Sequence, residues 1–82
     1  IMPADRNETR TRVIAIIADK LAVDKATVTD DATLEKLGAD SLDLVEIVMK
    51  LEEQFGIKIH DEQAAKLCTV NDVITYIHSL RN

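Results

Sequence analysis

Gly38 and Gly56 are the only glycines in these 82 residues, and Pro3 is the only proline. A chain so short of backbone breakers cannot make the many tight turns of a small β fold, so long helices are favoured. Strict alternation of apolar and polar residues is also missing, which argues against a sheet. Phe55 and Tyr76 are the only aromatic residues, so the core must be built from Ile, Leu, Val and Ala. A chain of this length supports one modest core and leaves no room for a cleft between domains.

Helical signals divide the chain. Asp5 and Glu8 form a capping-box-like start for a first helix, in which Val13, Ile14, Ile16, Ile17 and Leu21 recur at helical spacing. The stretch VDKATVTDDATLEKLGAD reads mainly as loop with a short turn at 32–37, pinned to the core by Val23, Val28, Leu34 and Leu37. A second helix is expected from Ser41 to Phe55, ended by Gly56 in a left-handed cap position. IKIHDE then makes a short extended link, with Ile57 and Ile59 available for burial. A short helix over 61–67 starts at Asp61. Thr69 and Asp72 signal another capping box, ahead of a last helix carrying Val70, Val73, Ile74, Ile77 and Leu80. The expected fold is all-α: a small four-helix bundle of three main helices and one short one, with a long first loop. It is expected to span 1–82 as a single domain, with 1–4 an extraneous or disordered end.

Charge narrows the partners. Residues 40–63 hold seven acids against Lys50 and Lys58, a local −5 that equals the net charge of the whole chain. Nucleic-acid binding wants the opposite sign, whereas an acidic centre suits basic protein partners. Cys68 is the only cysteine, so no internal disulfide forms; this points to a reducing compartment, with Cys68 itself expected as a small buried hydrophobe. No C-x-x-C, H-E-x-x-H or EF-hand pattern predicts a metal site. No apolar run reaches membrane-spanning length, and IMPADRNETR has no signal-peptide core. The expected home is bacterial cytoplasm, although a processed organellar protein reads the same way.

The second helix has two apolar faces. At 100° per residue, Leu44, Ile47, Val48, Leu51 and Phe55 fall within an arc of roughly 100° and form a core stripe. Leu42, Val45 and Met49 lie on another arc, mixed with Glu46, Glu52 and Glu53. That second arc is either the edge of a wide core stripe or a docking surface with an apolar centre and an acidic rim. Helical geometry leaves both open.

Ser41 stands between two acidic positions, Asp40 and Asp43, in GADSLD. It has three conceivable roles: helix cap, nucleophile or attachment point. Asp40 makes the better cap, with Asp43 three residues on, which places Ser41 at the first helical position with its side chain free. A nucleophile needs a base and an oxyanion hole. GADSL is not a G-x-S-x-G elbow, the only imidazoles are His60 and His78, and an 82-residue helical chain offers little pocket, so a hydrolase is disfavoured.

LGADSLDLVEIVMKLEEQFGIKI closely resembles the second-helix signature of acyl carrier proteins, and the likeness continues along the chain from about residue 8 through DEQAAKLCTVNDVITYI. The resemblance implies 4′-phosphopantetheine on Ser41, donated by coenzyme A through a phosphopantetheinyl transferase. Acyl groups would then travel as thioesters in dissociated (type II) fatty-acid synthesis, and the chain would be a monomeric carrier rather than an enzyme. It implies that Asp40, Leu42, Asp43, Val45, Glu46, Met49, Glu52 and Glu53 meet basic patches on the transferase, ketoacyl synthases, reductases, dehydratases and acyltransferases. It further implies that Leu44, Val48, Leu51, Phe55, Ile59 and Ile77 line an acyl pocket. Lys36, Lys50, Thr33 and His60 depart from the usual family pattern. A carrier for polyketide or other specialised acyl pathways, or a helical interaction module that carries nothing, are the alternative readings.

Overall fold

The computed structural model describes residues 4–81, so that residues 1–3 of the expected extraneous end lie outside the described residues. Four helices follow in order: α1 (Arg6–Leu21), α2 (Ser41–Phe55), α3 (Asp61–Ala64) and α4 (Val70–Arg81), with a 3₁₀ turn at Lys25–Thr27 in the first loop. There is no strand among the described residues, only an isolated bridge between Thr33 and Thr69. The all-α bundle with a long first loop is therefore the fold.

Aliphatic side chains at helical spacing build the core. Val13 and Ile17 of α1, Ile47 and Leu51 of α2, and Val70, Val73, Ile74 and Ile77 of α4 are all buried. Val28, Leu34 and Ile59 close it from the connections. Helix α1 packs against both α2 and α4.

The helix ends follow local chemistry, with three corrections. Asp5 caps α1, but its carboxylate accepts from the Asn7 N–H, and Glu8 does not complete a box. Glu8 instead pairs with Arg81, which draws its carboxyl below the usual range, first through the hydrogen bond and then through the charges of Arg81 and Arg12. The short helix α3 spans four residues, not 61–67, and the His60 side chain does not cap it. Cys68 is exposed rather than buried. Its backbone is held on both sides, N–H to Asp72 Oδ2 at 3.1 Å and C=O to the Leu34 N–H at 3.0 Å, which leaves the thiol facing out.

The long loop is stitched to the start of α4. Leu34 N–H donates to Cys68 O, Val70 N–H to Ala32 O and Asn71 N–H to Asp30 O, all within 3.0 Å. Thr69 and Asp72 form the expected box: Asp72 N–H donates to Thr69 Oγ1 at 3.0 Å, and Thr69 N–H to Asp72 Oδ2 at 3.0 Å. The two ends of this stitching fix where the loop delivers the chain into α2.

Candidate functional site: the start and outer face of α2

The 33–39 turn leads directly into α2. Leu37 N–H donates to Thr33 O, Gly38 N–H to Glu35 O and Ala39 N–H to Leu34 O. Gly38 takes φ +98°, a conformation that favours glycine. The Thr33 hydroxyl accepts the Lys36 N–H at 3.1 Å and so braces the turn.

Asp40 then caps the helix. Asp43 N–H donates to Asp40 Oδ1 at 2.8 Å, and Asp40 N–H donates to Asp43 Oδ2 at 3.1 Å. Both acidic side chains beside Ser41 are thus occupied with backbone. Ser41 is the first residue of α2 and is exposed. Its hydroxyl has no hydrogen-bond partner among the described residues. The N–H groups of Ser41 and Leu42 belong to the first turn, where the helix offers no partner and its dipole favours an anion. An accessible hydroxyl beside such donors fits a phosphodiester. Neither ring, His60 or His78, is positioned as a base for it: His60 follows the far end of α2, and His78 meets Thr9 Oγ1 at 3.2 Å.

The outer arc of α2 is open. Leu42 is 65%, Val45 55% and Met49 61% exposed, so these residues are not part of a wide core stripe. The acids around them are not equivalent. Glu46 pairs with Lys20 of α1 at 2.7 Å, and this hydrogen bond raises the Lys20 ammonium above its ordinary range. Glu53 lies 3.7 Å from Lys50 on the next turn. Glu52 turns toward the link after α2, where its Oε2 accepts the Ile59 N–H at 2.8 Å. The pairing of Glu46 with Lys20 has no signal in the pattern of α2 alone, because its partner lies on another helix.

Beside this face, between α2 and the 57–67 segment, runs an open groove of about 370 Å³. That volume is near the lower end of small-ligand sites. Leu44, Val48, Leu51 and Ile59 line it, and Leu44 is 38% exposed at its mouth rather than in the core. Phe55 and Ile77 do not line it. Phe55 packs under the guanidinium groups of Arg12 and Arg81, 4.1 and 5.2 Å from its ring centre, and Ile77 is sealed in the core. Ile47, Leu34, Ala64 and Leu67 also line the groove. Ile47 was visible in the helical stripe; the other three come from segments whose approach to α2 depends on tertiary structure.

A family described as a phosphopantetheine attachment site matches residues 11–77. An acyl carrier protein from Thermotoga maritima is 48% identical over 75 residues, covering 90% of this chain and 93% of its own. One from Helicobacter pylori is 58% identical over 64 residues, covering 77% of this chain and 82% of its own. The bundle and its matched region thus define a domain that bears 4′-phosphopantetheine. The chain belongs to the acyl carrier protein family.

Proposed function

We propose that Ser41 is the attachment point and that this chain carries acyl groups in type II fatty-acid synthesis. The observation that carries this reading is the exposed, unpartnered Ser41 hydroxyl at the first position of α2, between two aspartates locked into the helix cap. The arm supplies a terminal thiol on which acyl groups are held as thioesters. The chain's own residues do the rest. Asp40 and Asp43 fix the helix start, the first-turn N–H groups would favour the phosphate of the arm, and the groove along Leu44, Val48 and Leu51 would receive an apolar chain. No base is needed at Ser41, because the transferase supplies the proton acceptor; the chain is a carrier rather than a catalyst.

Leu42, Val45 and Met49 give the docking face an apolar centre, and Asp40, Asp43, Glu46, Glu52 and Glu53 set the charge that draws basic patches on synthases, reductases, dehydratases and acyltransferases. No helix of the described residues is long and apolar enough to cross a membrane. The bacterial relatives support work in a bacterial cytoplasm.

The test is direct. Incubation with coenzyme A and a phosphopantetheinyl transferase is expected to add one phosphopantetheinyl group by intact mass, and Ser41→Ala to abolish the gain. A gain that survives Ser41→Ala places the arm elsewhere.

A further inference from the structure

Glu52 has the sequence position of a docking acid and the contacts of something else. Helix α2 ends at Gly56, with φ +64°, and the chain turns back along the groove through residues 57–60. Ile59 in that link is 3% exposed, and its N–H has no backbone acceptor among the hydrogen bonds of the described residues. A buried amide left without a partner is destabilising, so an acceptor is required there. The Glu52 carboxylate provides it at 2.8 Å.

The same residue also holds the start of the link, since Glu52 O accepts the Ile57 N–H at 3.2 Å. Beyond Ile59, the far wall of the groove is short and lightly secured. Helix α3 is four residues long and has no side-chain cap, and the next hydrogen bonds to the rest of the fold are at Cys68, whose N–H donates to Asp72 Oδ2 and whose O accepts the Leu34 N–H. Ala64 and Leu67 lie on the groove between these two fastenings. The wall is therefore a flap pinned at one end by Glu52 and at the other by the first loop and the start of α4.

We propose that Glu52 is the positioning residue of the groove: by accepting the Ile59 N–H it holds the flap against α2 and sets the width open to an acyl chain. This rests on the reading that the groove shelters the cargo. The role needs an acceptor of the right reach, not a charge, whereas docking to basic partners needs the charge. Glutamine keeps the acceptor and loses the charge; alanine loses both.

The experiment uses ¹⁵N-labelled full chain, unloaded and loaded from octanoyl-coenzyme A by a phosphopantetheinyl transferase. Amide exchange reads the pin, and nuclear Overhauser contacts from the octanoyl chain read the groove. Glu52→Ala is expected to speed Ile59 amide exchange roughly tenfold or more, the factor that goes with leaving a buried donor unpaired. It is also expected to remove or rearrange octanoyl contacts with Ile59 and Leu67, and Glu52→Gln to restore both. Unchanged Ile59 exchange in Glu52→Ala, or a Glu52→Gln chain that behaves like Glu52→Ala, overturns the pin. If the unsubstituted chain shows no octanoyl contacts in the groove, the sheltering reading falls, and the proposal with it.

Discussion

The α1–α4 seam and the α2–α3 side of this bundle are built from similar aliphatic residues and finished in opposite ways. Along the seam, Val13, Ile17, Val70, Ile74 and Ile77 are sealed from solvent, and a polar cluster closes the end. Arg81 donates to Glu8 and, at 2.8 Å, to the buried Thr9 hydroxyl. Arg6 reaches Asn71 and Thr75, and Arg12 donates to Gln54 O at 2.6 Å while stacking on Phe55. On the other side, α2 faces a four-residue helix across an open groove, with one carboxylate fastening the link. The α1–α4 side is sealed, and the α2–α3 side, where the proposed function places the cargo, stays under-filled.

The largest effect expected from breaking this contrast is at Ile77. Truncation to alanine leaves a cavity in a closed core and is expected to cost about 2–5 kcal/mol, a large part of the stability of so small a domain. Val48→Ala, which enlarges a space already open, is expected to cost about 1 kcal/mol or less. Urea unfolding of both variants measures the difference, and equal losses would erase the contrast.

An effect of intermediate size is expected at Asp72, which ties α4 to the loop. The N–H groups of Thr69 and then Cys68, with the Thr69 hydroxyl, hold its carboxyl below the ordinary range. A carboxyl whose folded value is depressed stabilises the fold above its unfolded pKa, and this contribution is lost as pH falls through the folded value. Asp72→Asn keeps an acceptor but no charge. It is expected to lower stability at neutral pH by about 0.3–1 kcal/mol and to flatten the acid limb of the stability profile below the ordinary carboxylate range. Unfolding curves across that acid range check the slope.

The smallest effect has the opposite sign. Ala22 ends α1 in a left-handed conformation, φ 56°. Such a conformation costs an L-residue about 1–2 kcal/mol, of which the greater unfolded freedom of glycine cancels part. Ala22→Gly is thus expected to gain about 0.5 kcal/mol in the unfolding free energy and to leave the groove unchanged.

These residues also show what was legible beforehand. Asp40 with Asp43, Thr69 with Asp72, and Gly56 are signals within one turn of their effects, and they placed α2 and the start of α4 correctly. The end of α1 was harder, because it stops at an alanine without a glycine. Glu8 looked like half of a capping box, but an arginine 73 positions away offered a charged partner. Cys68 was misjudged, and the contact of Glu52 with the Ile59 N–H left unforeseen, for the same reason: the link and the first loop, neither adjacent on a helical wheel, decide where these groups point. The place of Ser41 at the first position of α2 was legible because its surroundings are local. Of the groove, the α2 wall and Ile59 were legible, while Ala64 and Leu67 depend on how 57–67 folds back.

The central claim is that one side of this bundle is closed for stability and the other is open for cargo delivered from Ser41. Hydrogen exchange by mass spectrometry, comparing the unloaded and octanoyl-loaded chains, tests it most directly. The account predicts added protection in peptides covering 44–48 and 57–67, with α1 and α4 unchanged. Protection spread evenly over the bundle, or confined to the α1–α4 seam, would contradict it.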